Sequence, residues 1–208
     1  MSQQTVSEFM KDVSVVPVVQ LDDQHQTEHL CNTLLEGGIN SIEITLRSEY
    51  GKKAIETVAK AFPEMKLLAG TVINCEDMSR VIDLGAQVVV SPGVSASMLQ
   101  MAESQSLQLL PGVANASQIM TCLEYGVVEC KLFPASVAGG ISALKAFAGP
   151  FAQVNFCPTG GVNVSNYNDY LAMDNVMFVG GTWLAPTKDI QDGNWDAILQ
   201  RCKQITEH

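Results

Sequence analysis

No apolar run in this chain approaches the roughly 18 to 20 residues that a bilayer-spanning helix requires. Its opening segment, MSQQTVSEFMKD, lacks the basic-then-apolar pattern of a secretory leader. Both absences predict a cytoplasmic protein with no membrane contact. Cationic side chains are scarce as well: 12 Lys and Arg stand against 22 Asp and Glu, for a net charge of −10. A surface of that sign repels nucleic acid and acidic membranes. An anionic ligand must therefore be captured by a local cluster of cations and backbone N–H groups. The six cysteines (31, 75, 122, 130, 157 and 202) include no CxxC pair, so neither a zinc ribbon nor a disulfide framework is suggested, and reduced, mostly buried thiols are expected. Asn115-Ala116-Ser117 and Asn163-Val164-Ser165 match glycosylation acceptors, which mean nothing without secretion. No linker, low-complexity tract or composition shift divides the chain, and residues 1–208 are read as one domain with 47% hydrophobic residues to fill its core.

What is present is alternation. After an amphipathic opening segment come eight β-rich runs, at 13–19, 39–45, 65–70, 86–91, 107–113, 127–133, 153–160 and 175–181. They are almost continuously apolar, as strands of a parallel sheet buried on both faces must be. Between them lie stretches with helical spacing, such as Leu30, Leu34 and Leu35, then Ala54, Ile55, Val58 and Ala59, then Val81, Ile82 and Leu84. Eight strand-plus-helix units in 208 residues predict a minimal (β/α)8 TIM barrel with a short N-terminal helix. An open doubly wound sheet is the alternative, and such folds seldom need eight strands at this length. Seven of the runs end in polar or turn-forming residues, among them Glu43 to Arg47, Gly70-Thr71, Ser91-Pro92-Gly93, Lys131 to Pro134, Pro158 to Gly161 and Gly180-Gly181-Thr182. In a barrel these ends converge on one face, where the chemistry of such folds is found.

Lys131 is the residue out of place, a lysine closing the apolar run VVECKLF. A strand-end lysine ordinarily packs its stem at the rim and lets its ammonium reach water. Held instead among Val127, Val128, Leu132 and Phe133, the ammonium loses hydration and its pKa falls, so that the neutral amine becomes a nucleophile towards carbonyls. A nearby Arg47 would lower the pKa further. A nearby Glu43 would raise it while accepting protons, and the sequence alone does not rank the two effects.

The stretches IEITLR (42–47), AGTV (69–72), SPG (91–93), PGV (111–113), KLFPA (131–135), CPTGGV (157–162) and GGTWL (180–184) recur in order at barrel spacing. Together they resemble the class I 2-keto-3-deoxy-6-phosphogluconate (KDPG) aldolase and 4-hydroxy-2-oxoglutarate aldolase family of the Entner-Doudoroff pathway. The resemblance spans about residues 13–190. It implies a homotrimer of barrels that cleaves a phosphorylated keto acid to pyruvate and glyceraldehyde 3-phosphate. It also implies that Lys131 forms the Schiff base and that Glu43 shuttles protons. Arg47 and Thr71 would hold the substrate carboxylate. Thr159, Pro92 and Phe133 would contact substrate, and Gly160, Gly161, Gly181 and Thr182 would cradle the phosphate, beside the N-terminus of a short helix. Neither cofactor nor metal is implied, because the iminium does the polarising that zinc does in class II aldolases. Leu132 departs from the common KFFPA and Thr182 from a common serine, while Thr45-Leu46-Arg47 favours the gluconate over the galactonate branch.

Three rival readings follow from the residues. His25-Gln26-Thr27-Glu28-His29 fits the H-x-x-E-H pattern of inverted zinc proteases, but the one remaining histidine is His208, and an outer helix would turn the pair to solvent. A phosphosugar isomerase or epimerase could use Glu43 as base without covalent catalysis. A binding protein could keep the phosphate cradle without turnover.

Overall fold

The computed structural model describes residues 4–207. Helices start where a short polar side chain can take up a free amide of the first turn. Asp23, Asn74 and Asn115 do so at 2.8, 2.7 and 3.0 Å, accepting from the amides of Gln26, Asp77 and Gln118. The first half of the chain runs α1 (Val6–Phe9), β1 (Val15–Val19), α2 (Gln24–Glu36), β2 (Ser41–Thr45), α3 (Gly51–Ala61), β3 (Lys66–Gly70), α4 (Cys75–Asp83), β4 (Val88–Val90) and α5 (Ala96–Gln105). The second half runs β5 (Leu109–Leu110), β6 (Gly112–Val113), α6 (Ala116–Glu124), β7 (Glu129–Leu132), α7 (Gly140–Ala148), β8 (Asn155–Pro158), α8 (Tyr167–Leu171), β9 (Val179–Gly181), α9 (Thr187–Asp192) and α10 (Trp195–Thr206).

Every strand pairing is parallel. One sheet runs β5-β4-β3-β2-β1-β9 and the other β6-β7-β8. β5 and β6 are the two halves of the run expected at 107–113, parted at Pro111, which has no N–H to give the ladder. The carbonyl of Pro111 still accepts from the Lys131 amide at 2.8 Å, so the chain carries the ring across this seam. At the other seam the bridges Phe156↔Val176 and Thr159↔Gly180 join β8 to β9. The expected (β/α)8 barrel with its short N-terminal helix is the fold found.

Alternation along the strands separates the core into layers. Val16, Leu68, Val88, Val90, Leu110, Cys157 and Phe178 form the cluster inside the ring. Their strand neighbours, such as Ile42, Ile44, Leu67, Ala69 and Val89, pack outward against the helices. Val6, Met10 and Val13 join the inner cluster, so α1 and the loop after it plug the ring at the N-terminal ends of the strands. Glu129 accepts there from the Val6 and Ser7 amides at 2.8 and 3.1 Å. The C-terminal ends of the strands, by contrast, open onto a cavity lined by Lys131 and Arg47.

Candidate active site

Lys131 sits one turn of the pleat above Glu129 on β7, so its side chain also enters the ring. In register it lies between Gly112 on β6 and Cys157 on β8. Glu43 comes from the neighbouring sheet, on β2. Lys131 Nζ donates to Glu43 Oε1 at 2.9 Å and to Oε2 at 3.3 Å, and the two residues are 5% and 3% exposed. In this arrangement the Lys131 head does not reach water as a strand-end lysine ordinarily does. Its nearest base is a buried carboxylate, and the Phe133 ring lies 5.2 Å from Nζ.

Small residues make the room. A Cβ on Gly70 would lie 2.3 Å from Glu43 Oε1, so the bare glycine at the end of β3 is what lets the carboxylate lie where it does. Gly180 does the same for Thr159, whose Oγ1 would meet a Cβ there at 2.5 Å. Thr159 in turn stands 3.7 Å from the Cys157 sulfur. Burial pushes the Cys157 thiol up to about 12, against the opposing pull of the Lys131 ammonium and the Thr159 hydrogen bond, so the thiol stays neutral.

Beyond the pair opens a cavity of about 300 Å³. Arg47, Lys131, Phe133 and Thr159 line it, together with Gly160, Gly161, Gly181 and Thr182. Arg47 is exposed, forms no ion pair among the described residues, and donates from Nε to Thr71 Oγ1 at 3.3 Å. Thr71 holds a left-handed backbone, with φ 62°. Ser48 Oγ ties the intervening loop to the Leu21 carbonyl at 2.6 Å. Thr45, by contrast, does not line the cavity and donates to the Val19 carbonyl at 2.9 Å.

At the other end Gly160 and Gly161 take φ of 91° and 84°, a conformation that favours glycine. Among the described residues no protein acceptor is hydrogen-bonded to the amides of Gly161 or Thr182, which leaves two donors facing this end of the cavity, while the bridge Thr159↔Gly180 engages the amide of Gly160. The expected helix N-terminus is not there. α8 begins only at Tyr167 and α9 only at Thr187, because the chain after β8 and after β9 first runs through turns. The free donors at this end of the cavity are therefore loop amides, with no helix dipole behind them.

Pro92 stands apart from the other expected residues. It is exposed and does not line the cavity; its backbone covers Gly112, where a Cβ would come within 2.4 Å of it. Conversely, Ser136, Val18, Pro134 and Val162 line the cavity without having been singled out. Ser136 carried a usable signal, following the KLFPA stretch on the loop after β7. An apolar Val18 offered none. Leu132 is fully buried and faces the helices, so its departure from the common pattern alters packing outside the ring. His25 and His29 meet at 4.0 Å between ring centroids, tilted by 45°, on the exposed face of α2, while His208 lies outside the described residues. No group of three or more His, Cys, Asp or Glu among the described residues could hold a metal. Nor is any helix among them long and apolar enough to cross a membrane.

Comparison with known proteins adds three findings. Residues 6–201 match the family model of the KDPG and KHG aldolases. The KHG/KDPG aldolase of Escherichia coli strain K12 is 40% identical over 193 residues, covering 93% of this chain and 91% of its own, and the 2-dehydro-3-deoxy-phosphogluconate aldolase of Pseudomonas aeruginosa is 39% identical over 202 residues, covering 97% and 92%. The crystal structure of KDPG aldolase from Legionella pneumophila, with pyruvate captured at low pH as a covalent carbinolamine, superposes with a TM-score of 0.93 at 38% identity, over 96% of this chain and 97% of that one.

Proposed function

The chain belongs to the KDPG and KHG aldolase family, and from that membership we propose that it is a Schiff-base lyase, in which Lys131 is the nucleophile and Glu43 the proton carrier. Its reaction is the cleavage of 2-dehydro-3-deoxy-6-phosphogluconate to pyruvate and glyceraldehyde 3-phosphate. Cleavage of 4-hydroxy-2-oxoglutarate to pyruvate and glyoxylate is a second activity of the same site. The observation that carries this reading is the buried 2.9 Å pair of Lys131 and Glu43 at the open end of the ring.

The steps follow from that pair. As the proton of the ammonium passes to the carboxylate, Nζ becomes free to attack the C2 ketone. The carbinolamine loses water, the Glu43 proton leaving with the hydroxyl, and an iminium remains. Glu43 then removes the C4 hydroxyl proton. The C3–C4 bond breaks, its electron pair flows into the iminium, glyceraldehyde 3-phosphate leaves, and an enamine of pyruvate stays on Lys131. Protonation at C3 and hydrolysis of the imine release pyruvate and restore the amine. The pyruvate carbinolamine held by the Legionella relative corresponds to the last covalent species of this sequence, between the pyruvate imine and free pyruvate.

Arg47 and Thr71 hold the carboxylate beside the ketone, with Arg offering a planar fork of donors. The free amides of Gly161 and Thr182, the close backbone turn at Gly160 and the Thr182 hydroxyl take the phosphate. Thr159 and Phe133 contact the carbon chain. Pro92 acts from further out, through Gly112. Arg47 in the cavity supports the gluconate branch. No metal is needed, because the iminium is the electron sink. We place the protein in the cytoplasm, where six free thiols stay reduced, and assign it a homotrimer, which a solution mass near that of one 22.4 kDa chain would contradict.

Incubation with pyruvate, reduction with borohydride and peptide mapping test the reading directly. The adduct is expected on Lys131, none on Lys131→Ala, and a slow yield on Glu43→Gln. A wild-type protein that cleaves the substrate without ever being labelled would end the Schiff-base account.

A further inference from the structure

Behind the phosphate cradle lies an aromatic residue that the reaction does not touch. The backbone of Gly181 is not left-handed, so nothing in its conformation forbids a side chain. Space does. A Cβ there would lie 1.7 Å from Cζ3 and 2.0 Å from Cε3 of Trp183, because the indole folds back beneath the α-carbon of Gly181. The same ring meets Tyr167 at 6.0 Å between centroids, and Tyr167 is buried. On its outer side Trp183 lines a second cavity of about 270 Å³, together with Val164, Arg201, Gln204 and Ile205. The indole is thus a partition between the Gly181–Thr182 loop and a void. Its Nε1 is buried without a partner among the described residues, so the ring is held there by packing and by no hydrogen bond.

We propose that Trp183 is a positioning residue for the phosphate end of the cavity, and that its ring sets the enzyme's affinity for the phosphorylated part of the substrate. The inference rests on the function proposed above. Donors aimed at an anion are effective only if the loop that carries them cannot relax away. With the ring in place, the loop has a floor under Gly181. With the ring truncated, the loop faces a void of about 270 Å³ on one side and substrate on the other. Lys131 and Glu43 stand on β7 and β2, and their contacts do not involve Trp183. The two ends of the site can therefore be separated by experiment.

The test is Trp183→Leu, compared with wild type in steady-state cleavage of 2-dehydro-3-deoxy-6-phosphogluconate and in borohydride trapping of pyruvate, which carries no phosphate. The expected result is a KM raised about tenfold or more, with kcat and the trapping yield within about twofold of wild type. A loss confined to kcat, an equal loss in trapping, or no change in KM would overturn the proposal. If the leucine variant does not fold, Trp183→Phe decides by the same split, with an unchanged KM as the overturning result. Wild-type protein that traps no pyruvate on Lys131 would defeat the proposed function and this inference with it. Normal wild-type trapping and cleavage, without the split in the variant, would defeat this inference alone.

Discussion

At Lys131 and Glu43 two charges share a site from which water is nearly excluded, and neither would be tolerated there without the other. Their arrangement depends on an atom that is missing, the Cβ of Gly70. Gly70→Ala is conformationally permitted, since the backbone there is not left-handed, but the methyl would overlap Glu43 Oε1 at 2.3 Å and Cγ at 2.8 Å. The carboxylate must then move off the amine. Steady-state kinetics should show kcat reduced about 10- to 100-fold with KM little altered, since a misplacement of about 1 Å in a reacting group costs that much. The sequence marked Glu43 and Lys131 because ionisable side chains at the ends of apolar strands are conspicuous. Gly70 was visible only as a turn residue, because a glycine that makes room for a neighbour looks no different from one that makes a bend. Lys131 was expected among apolar neighbours with Glu43 or Arg47 as rival influences. The barrel brings Glu43 into contact and leaves Arg47 further out, on the exposed loop with Thr71.

Among the elements, α1 does the most for its length. Four residues long, it closes one end of the ring, and its first amides are taken by Glu129 from inside the barrel. Glu129→Ala would leave the Val6 and Ser7 amides without a partner at a mostly buried place. Such a loss costs about 1–3 kcal/mol, measurable as a lower urea midpoint. Catalysis should be nearly unaffected, because Glu129 faces the plugged end and Lys131 the open one. The opening segment was legible as amphipathic, but its partner was not, since a contact across 123 residues leaves no trace in local pattern. The same contrast holds after β8 and β9. Glycine pairs announced both turns, yet helices were expected to follow at once, whereas α8 and α9 start several residues later. Asn115, read from the sequence only as a glycosylation triplet, is the N-cap of α6.

For the molecule as a whole, the buried cysteines couple stability to alkaline pH. Burial first, and the charge of Glu64 second, push the Cys31 thiol from 9.0 up to about 12, and burial pushes Cys202 up to about 11. Below about pH 9 both folded and unfolded chains keep these protons, and the thiols cause no pH dependence. Above it the unfolded chain releases protons that the native state retains, so stability falls as pH rises towards the folded values. Urea midpoints between about pH 8 and 11 should decline, and less steeply in Cys31→Ala than in wild type. An equal slope in the two proteins would remove Cys31 as a contributor. What could be read from the chain alone was whatever burial and turn chemistry write into neighbouring residues: eight apolar runs, the helices between them, the polar strand ends, and the ordered motifs of a family. What needed the folded ring was every relation across it, including the 2.9 Å bond between residues 88 apart, the space vacated by Gly70, the free loop amides at Gly161 and Thr182 and the indole beneath Gly181. Periodicity reports which way a side chain faces. Distance between two such side chains is set only when the strands close into a barrel and fix where each face points.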